Sequence, residues 1–395
     1  MSSKSVISPV GEQGRPKMTS IVRQAVSAVG LAGHLSRGVG RVTTDAVVGS
    51  RLGLPRTIQD IDAAVLTKIM GSTVRSVRVL GSDAGTSSRA RLVLTGSDVP
   101  DSVFVKIGAK TAATRLMGEL GRLGSTEVRF YTQLAPQVIG VPYAFGAAFD
   151  SWTGRYLLVL EDLPAEECEF PDTLHPLSPD QASLIVELLA ELHATFWERL
   201  PLGGRGPLGW LYTPSGDVTS LLTGSLMNAS IKRLAERSTI PVENGRFIAD
   251  NYRAVAELID TPPHTVMHGD AHPGNMYFYG GKAGLLDWQA VRRGHPSREL
   301  AYTLITSLTP EDRRATQRDL LDHYRRALSA AGGPELDRDD LWLRFRQGAL
   351  YGYVAPLITA GMGGMQSEGI AMEGLRRGVE ALDDLDTVAA LKSSL

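Results

Sequence analysis

Residues 266–289 read VMHGDAHPGNMYFYGGKAGLLDWQ and gather polar side chains between two apolar runs. A buried polar atom without a hydrogen-bond partner costs about 1–3 kcal/mol, so a core strand has no use for so many. Asp270, Asn275 and Asp287 supply two carboxylates and an amide oxygen. These are hard oxygen ligands of the kind that Mg²⁺ prefers beside substrate phosphates. The stretch therefore predicts a site that handles a metal ion and a ligand.

The elements around these residues must bring them together. The run TVM reads as a short strand that ends at His268. The runs MYFYGG and KAGLLDW read as a hairpin, which returns Asp287 to the neighbourhood of Asn275. We therefore expect one compact site.

The part of the chain before this site is rich in strand signals, and the rest is mostly helical. Three valine-rich runs have the alternation of β-strands: 74–82, 89–96 and 103–108. An amphipathic helix is predicted over 57–70, a second helix from Ser125 or Thr126 to Leu134, and two more strands follow. Three later segments have helical periodicity: 178–200, 310–332 and 336–354. The pattern predicts a β-rich lobe followed by a larger helical lobe.

HGDAHPGN followed by LLDWQ resembles the catalytic loop and metal-binding aspartate of the aminoglycoside phosphotransferase family, relatives of protein kinases that phosphorylate small molecules. Within that family the chain is most similar to the ecdysteroid-kinase-like branch and its bacterial members. The resemblance covers roughly residues 57–380. It implies an α+β, bilobal, protein-kinase-like fold, with an antiparallel sheet and one helix in the small N-terminal lobe and a larger, mostly helical C-terminal lobe.

The expected domain organisation follows from that fold. Residues 1–56 are predicted to be a partly ordered N-terminal extension, in which 21–36 have the amphipathicity typical of a docked surface helix. Residues 57–162 are predicted to form the nucleotide-binding lobe, which ends in a hinge. Residues 163–395 are predicted to form the helical lobe with the catalytic loop and the acceptor site.

The resemblance also implies roles for single residues. Asp270 resembles the catalytic base that orients the acceptor hydroxyl, and Asn275 and Asp287 resemble the Mg²⁺ ligands that bridge phosphates. His268 and His272 resemble residues that hold the loop in place, a structural role. The implied cofactors are ATP and Mg²⁺.

Two residues upstream match the nucleotide side of a kinase site. Lys106, in VFVKIG, stands where a strand lysine pairs with nucleotide phosphates. Glu127, in STEVRFYTQL, resembles the helix glutamate that holds such a lysine. A single lysine at a strand end is usually only solvated, but the order of the motifs along the chain favours the kinase interpretation.

Two more segments complete the predicted nucleotide site. In GSDAGTSSRA, the backbone at Gly85, Thr86 and Ser87 is predicted to cover the phosphates, although an ordinary hairpin turn is the alternative. The segment LVLEDLP resembles the hinge whose backbone binds adenine. Its candidate residues are Leu160, Glu161 and Asp162.

The segment after the metal aspartate departs from the family pattern at one position. Glu299 stands where an aspartate is common, which puts the loop-anchoring role of that position in question. Arg292, Arg293 and Arg298 form a short basic cluster. A solvated turn accounts for it, and contact with a phosphate-bearing substrate is the alternative.

Composition narrows the class of partner. Lys and Arg number 41 against 43 Asp and Glu, a formal net charge of −2, so the bulk charge does not indicate a nucleic-acid partner. The single cysteine, Cys168, excludes an internal disulfide and fits a reducing, cytoplasmic setting. No run approaches the ~20 apolar residues of a membrane span, so we expect no stable membrane insertion. A small molecule is the expected partner, and the sequence indicates no oligomeric state.

The acceptor is least defined by the sequence. The segment LYGYVAPLITAGMGGMQ presents Tyr351, Tyr353, Met362 and Met365 among small residues. One hypothesis is an apolar pocket for a sterol-like or hydroxyacyl alcohol, and ordinary helix packing is the alternative.

The residues together predict an ATP- and Mg²⁺-dependent phosphotransferase that acts on a hydroxyl of a small molecule. An apolar alcohol is a more natural acceptor for this sequence than an aminoglycoside, whose positive charges call for an acidic pocket. Two alternatives are a metal-dependent phosphoester hydrolase and a nucleotide-binding pseudokinase that has lost catalysis.

Overall fold

The computed structural model describes residues 20–49, 53–85, 87–200, 206–364 and 366–395, and for residues 20–26 and Ala84 the backbone alone. The described chain forms two lobes. A five-stranded sheet organises the small lobe, whereas helices make up most of the large lobe. The α+β, bilobal prediction is therefore confirmed.

An antiparallel sheet forms the small lobe. Its strands are β1 (Thr73–Ala84), β2 (Ser87–Ser97), β3 (Ser102–Gly108), β4 (Ala144–Phe149) and β5 (Tyr156–Glu161). They pair in the order β1-β2-β3-β5-β4. Alternate residues of the inner strands, including Leu92, Val103 and Val105, are fully buried in one apolar cluster. Burial on one face fixes the register, because a slip of one residue would turn these side chains to the other face.

Four helices accompany the sheet: α1 (Ser20–Val47), α2 (Ala63–Met70), α3 (Ala112–Leu120) and α4 (Leu123–Gln133). The helix predicted over 57–70 is a 3₁₀ turn followed by α2, whose N-cap Asp62 accepts the N–H of Val65 over 2.8 Å. The single inserted helix is preceded by α3, and Arg122 separates the two in a left-handed conformation (φ 55°). The predicted helix from Ser125 or Thr126 to Leu134 thus begins earlier, at Leu123.

The amphipathic segment 21–36 lies within α1, which packs against α3 as a docked helix. His34 Nε2 lies 2.9 Å from the carbonyl oxygen of Leu120, and Arg41 pairs with Glu119 over 2.8 Å. Farther along, the buried carboxylate of Asp45 accepts hydrogen bonds from Arg115 and Arg155. These contacts join α1 to the small lobe. The division at residues 56 and 162 stays a prediction.

The large lobe contains the remaining helices: α5 (Pro179–Phe196), α6 (Ser220–Ala235), α7 (Arg246–Asp250), α8 (Tyr252–Ile259), α9 (Pro296–Ser307), α10 (Pro310–Ala330), α11 (Arg338–Gly348), α12 (Leu350–Met362), α13 (Glu368–Asp384) and α14 (Thr387–Lys392). Among the described helices, none has both the length and the apolar character that crossing a bilayer requires.

Two short strand pairs carry the polar stretch. β6 (Thr265–Met267) pairs with β9 (Arg292–Gly294), and β7 (Met276–Tyr279) pairs with β8 (Lys282–Leu285). The second pair is the predicted hairpin. Its register, with Met276 opposite Leu285, places Asn275 beside Leu286, whose N–H donates to the Asn275 carbonyl oxygen over 2.8 Å.

Aromatic packing joins the lobes beside this hairpin. Phe130 of α4 stacks on Trp288 with 3.9 Å between ring centroids and 4° between ring planes, and both side chains are fully buried. Offset or stacked aromatic pairs contribute about 0.5–1.5 kcal/mol beyond the area they bury. The contact fixes α4 of the small lobe against the segment that carries Asp287.

Candidate active site

Lys106, Glu127 and Asp287 meet in a buried triad. Lys106 on β3 directs Nζ to Oε1 of Glu127 on α4 at 3.0 Å and to Oδ1 of Asp287 at 2.7 Å. Lys106 and Glu127 are 3% and 1% exposed, so water screens this interaction little. The predicted lysine and glutamate are thus neighbours, and the lysine also reaches the predicted metal ligand.

The charges in the triad set one another's protonation. Burial acts to lower the pKa of Lys106, but the charges of Asp287 and Glu127 outweigh it and raise that pKa. Burial acts to raise the pKa of Asp287, but the charge and the hydrogen bond of Lys106, together with contributions from His268 and Arg89, outweigh it and lower that pKa. In Glu127, burial dominates and raises the pKa. Asp287 therefore keeps a negative charge that can face a cation.

The loop after β6 is held by its histidines. Nε2 of His268 donates to the carbonyl oxygen of Leu286 over 2.7 Å, and Nδ1 accepts the N–H of Asp270 over 3.2 Å. The ring is fully buried, and burial lowers the pKa of His268. Nδ1 of His272 accepts the N–H of Gly274 over 3.1 Å and so caps the turn. Both contacts are structural, as the resemblance implies for His268 and His272.

Glu299 anchors the same loop. Its carboxylate accepts the N–H groups of His268 and Gly269 over 3.1 and 2.6 Å, and Nε2 of His193 lies 3.0 Å away. Gly269 has φ 85°, and a Cβ there would lie 2.1 Å from the carbonyl oxygen of Ala290. The hydrogen bonds of Glu299 show that a glutamate at this position, where an aspartate is common, still anchors the loop.

Asp270 stands at the exposed end of the loop with two hydrogen-bond donors. The hydroxyl of Tyr302 donates to Oδ1 over 2.7 Å, and Nδ2 of Asn275 donates to the Asp270 carbonyl oxygen over 2.9 Å. The side chain of Asp270 is one-third exposed. Because the amide nitrogen of Asn275 is engaged, its amide oxygen is left for another ligand. The pair Asn275 and Asp287 thus offers the amide and carboxylate oxygens that suit Mg²⁺.

A cavity of about 260 Å³ lies between the lobes. Its lining includes Lys106, Glu127, Asn275 and Asp287 at one end and the predicted hinge at the other. The hinge residues that line it are Leu160, Glu161, Asp162 and Leu163. The N–H of Glu161 donates to the Tyr143 carbonyl oxygen over 2.7 Å, so it is already engaged within the sheet.

A larger cleft of about 650 Å³ adjoins this cavity. The two share Arg89, Gly274, Asn275 and Asp287 as lining residues. Asp270 lines the larger cleft, and α9, α12 and α13 form its far wall. The site therefore has two compartments that meet at the predicted metal ligands.

Comparison with protein-family models gave a match over residues 79–342 to a family described as the phosphotransferase enzyme family. This range is more than half of the 395 residues. The chain belongs to that family. Membership of this family supports the prediction that the chain is a small-molecule phosphotransferase.

Comparison with solved structures gave matches at low sequence identity. A candidate aminoglycoside phosphotransferase from Ralstonia eutropha has a TM-score of 0.51 and 15% sequence identity, with 81% of this chain and 93% of that chain covered. An ethanolamine kinase from Plasmodium vivax has a TM-score of 0.48, 12% identity and coverage of 81% and 83%, respectively. A choline kinase from Streptococcus pneumoniae has a TM-score of 0.45 and 16% sequence identity, with 79% of this chain and 94% of that chain covered. A comparison with curated proteins found no match. The Ralstonia protein confirms the kinase-like fold.

The predicted phosphate-covering turn lies between β1 and β2. Gly85 is exposed and lines the larger cleft, whereas Ser87 is 2% exposed and interacts with Tyr156. Thr86 lies outside the described residues. Among the predicted positions of this turn that the structure describes, Gly85 is the one that lines the larger cleft.

The predicted acceptor residues of α12 separate in the structure. Tyr351 lines a small cavity beside Asp270. Tyr353 is fully buried, and its hydroxyl donates to the Val242 carbonyl oxygen over 2.6 Å, which is ordinary helix packing. Met362 is 46% exposed and lines neither compartment, and Met365 lies outside the described residues. The pocket hypothesis is therefore wrong for Tyr353 and Met362.

Two residues at the site were not identified from the sequence. Arg89 lies opposite Lys106 in the β2–β3 register, so both side chains share a face of the sheet, and Arg89 lines both compartments. Tyr302, on α9, binds Asp270 from 32 positions away. Arg89 is the penultimate residue of the quoted stretch GSDAGTSSRA, and its position within a strand was the available signal. Nothing local marks Tyr302.

The basic cluster also separates. Arg292 pairs with the buried carboxylate of Asp217 over 3.1 Å, and Arg293 contacts Nδ1 of His264 over 3.2 Å. Arg298 is partly buried and lies over the ring of Tyr351. The expectation of a single solvated turn is therefore wrong.

Proposed function

We propose that the chain is an ATP- and Mg²⁺-dependent phosphotransferase whose acceptor is a hydroxyl group of a small molecule. The observation that supports this most is the meeting of the two compartments at Asn275 and Asp287. One compartment ends in the hinge and the triad, and the other contains Asp270. A phosphoryl group can pass between them without leaving the site.

Asp270 is proposed to be the catalytic base. It accepts the proton of the acceptor hydroxyl as that oxygen forms a bond to the γ-phosphorus of ATP and the bond to the ADP oxygen breaks. The hydrogen bond from Tyr302 and the contact with Asn275 hold the carboxylate in one orientation. Orientation of this kind lowers the barrier because the reacting groups need no further ordering.

The triad is proposed to bind the donor phosphates. Lys106 is fixed by Glu127 and Asp287, so its ammonium group is already oriented at the end of the inter-lobe cavity that contains Asn275 and Asp287. Mg²⁺ held by Asn275 and Asp287 would supply charge neutralisation for the phosphates. Gly85 is proposed to cover the phosphates, which its exposed position beside the cleft supports, although its N–H donates to the Ser87 carbonyl oxygen over 2.8 Å. Leu160, Glu161 and Asp162 are proposed to line the adenine end.

An apolar body is proposed for the acceptor. Four apolar residues of α12 and α13 line the cleft: Ala355, Pro356, Ile370 and Ala371. Polar residues line other parts of the cleft, including Thr306, Thr359 and Gln289. The carboxylates of Asp83, Asp172, Asp270 and Asp287 also line the cleft. A small molecule with an apolar part and several polar groups fits this mixture. A cytoplasmic location is part of the proposal, because Mg-ATP is abundant there and the single cysteine is a free thiol.

The test is mass spectrometry of a metabolite and lipid-alcohol extract incubated with the purified chain and Mg-ATP, beside an Asp270→Asn variant. We expect a new phosphorylated species with the wild type and at least about 100-fold less with the variant, the range of general base catalysis. Equal product from both would overturn the role of Asp270.

Two other outcomes separate the alternatives. Release of phosphate from a generic phosphoester without ATP would indicate a hydrolase. A rise in melting temperature with Mg-ATP, together with no transfer to any compound, would indicate a pseudokinase.

A further inference from the structure

Arg298 is a cation beside Asp270 with unused hydrogen-bonding capacity. Its guanidinium lies over the ring of Tyr351, 3.8 Å from the centroid, which fixes its position. Nε is buried and has no hydrogen-bond partner, and the guanidinium forms no ion pair with a carboxylate, within the part of the chain that the structure describes. Nε itself is out of reach of a ligand, but Arg298 also lines a cavity beside Asp270, where the rest of its guanidinium can meet a ligand.

The space in front of Arg298 is a cavity of about 50 Å³. That volume is several times the ~10–15 Å³ that one water molecule needs. Asp270 and Tyr302 line both this small cavity and the acceptor cleft, so the two are continuous. An acceptor whose hydroxyl reaches Asp270 can therefore place a neighbouring group in the small cavity.

Counting donors and acceptors shows what kind of group fits. Glu299 lines the cavity, but its oxygens already face the N–H groups of His268 and Gly269 and the ring of His193. Asp270 already accepts the hydroxyl of Tyr302. The donor groups that remain in the cavity are the guanidinium of Arg298 and the hydroxyl of Tyr351, and both can bind an acceptor atom.

The carboxylate of Asp260 does not supply that atom. Asp260 interacts electrostatically with Arg298, and its Oδ1 is buried without a hydrogen-bond partner, whereas its Oδ2 accepts the N–H of Ser215 over 2.5 Å. No ion pair within 4.0 Å joins Asp260 to Arg298 among the described residues, and Asp260 does not line the small cavity, whereas Arg298 does.

We propose that Arg298 binds a carboxylate of the acceptor, so that the substrates are hydroxy acids whose carboxylate lies a few bonds from the phosphorylated hydroxyl. This rests on the proposed function of Asp270. A planar carboxylate matches the planar guanidinium fork and fits a cavity of this size. The apolar residues Ala355, Pro356 and Ile370 then accommodate the hydrocarbon part of the acid.

Matched compounds test the proposal directly. Alpha-, beta- and gamma-hydroxy acids of short and medium chain length are each paired with their methyl ester, and hydroxylated phosphate monoesters form a third set. With wild type, Mg-ATP and mass spectrometry of products, we expect the acids to be preferred over the esters by about 10- to 100-fold in kcat/KM. Equal use of esters, or a preference for the phosphate monoesters, would overturn the carboxylate assignment.

A pair of variants assigns that preference to Arg298. Arg298→Gln is expected to lower kcat/KM with the acids to about the value with the esters, so that the preference for acids is lost. Arg318→Gln is the matched control, because Arg318 also lies over an aromatic ring, that of Trp342, and is exposed outside the cleft. If Arg298→Gln keeps the preference, the inference fails.

Binding without turnover separates this inference from the proposed function. The melting temperature is measured with Mg²⁺ and a non-hydrolysable ATP analogue, with and without each acid. Acids are expected to stabilise wild type and Asp270→Asn but not Arg298→Gln. Phosphorylation of alcohols or esters without any effect of the acids would sustain the kinase and refute the carboxylate subsite. Stabilisation by the acids without transfer of a phosphoryl group to any compound would support the carboxylate subsite and refute the kinase.

Discussion

Nζ of Lys106 lies 2.7 Å from Oδ1 of Asp287, although the two residues are 181 positions apart in the chain. Lys106 belongs to the sheet of the small lobe and Asp287 to the large lobe. Asp287 also has a left-handed backbone (φ 58°), which is uncommon for an aspartate. The ion pair therefore exists only when both lobes are folded and packed together.

Replacing Lys106 by Met tests this ion pair. We expect kcat/KM to fall by about 100- to 1,000-fold, because the variant loses a preorganised cation at the phosphates. Lys110→Met is the matched control, since Lys110 is exposed just beyond the same strand, and it should leave the rate unchanged. Steady-state kinetics with melting temperatures checks both variants. Retention of wild-type kinetics in Lys106→Met would remove the lysine from the proposed site.

Arg89 is expected to act on the transferred phosphoryl group, because it lines both compartments at their junction. Arg89→Gln should lower kcat by about 10- to 100-fold with little change in the KM for ATP. Arg91 lines the cavity between the lobes but not the larger cleft, and it pairs with Asp162 over 2.7 Å, so Arg91→Gln should act mainly on that KM. The same kinetic signature in both variants would contradict a special role for Arg89.

Glu299→Gln is expected to destabilise the chain by about 1.5–3 kcal/mol, because a charged acceptor of buried N–H groups is lost. The measurement is the free energy of unfolding in denaturant. Glu187→Gln is the control, because Glu187 also pairs with a histidine, His323, over 2.8 Å, but at the surface. Its effect should stay within about 0.5 kcal/mol. Equal effects of the two substitutions would show that the Glu299 contacts contribute no special stability.

A pH dependence of stability is expected from His295. Burial, with the charge of Arg344, lowers the pKa of His295 to about 3, against 6.5 for an ordinary histidine. Below pH 6.5 the unfolded chain therefore binds a proton that the folded chain does not, and stability is lost as pH falls from about 6.5 toward 3. Between pH 7 and pH 5 the loss is about 2 kcal/mol.

His295→Asn isolates this contribution. His295 is the N-cap of α9 and accepts the N–H of Ser297, and asparagine is also a favourable N-cap. The free energy of unfolding of the variant should fall less than that of the wild type between the two pH values, by about 2 kcal/mol. Parallel pH profiles for both proteins would contradict the assignment.

Much of the fold could be predicted from the sequence because its signals are local. Alternating valines specify strands, and Ser178 caps α5 with Pro179 at the first helical position, as the sequence indicates. The hairpin between Asn275 and Asp287 was predicted for the same reason. The break between α3 and α4 was not predicted, because it depends on a left-handed residue, Arg122, whose side chain pairs with Asp217 over 2.7 Å, 95 positions away.

The sequence by itself determined which chemical groups the site contains and in what order, because HGDAHPGN and LLDWQ each encode a loop of fixed spacing. Only the tertiary structure decided which side chains face the two compartments. Arg292 and Arg298 have equal charge and lie six positions apart, yet one pairs with a buried aspartate and the other faces a cavity beside Asp270. The direction of a long side chain is set by partners distant in the chain, and local sequence does not carry that information.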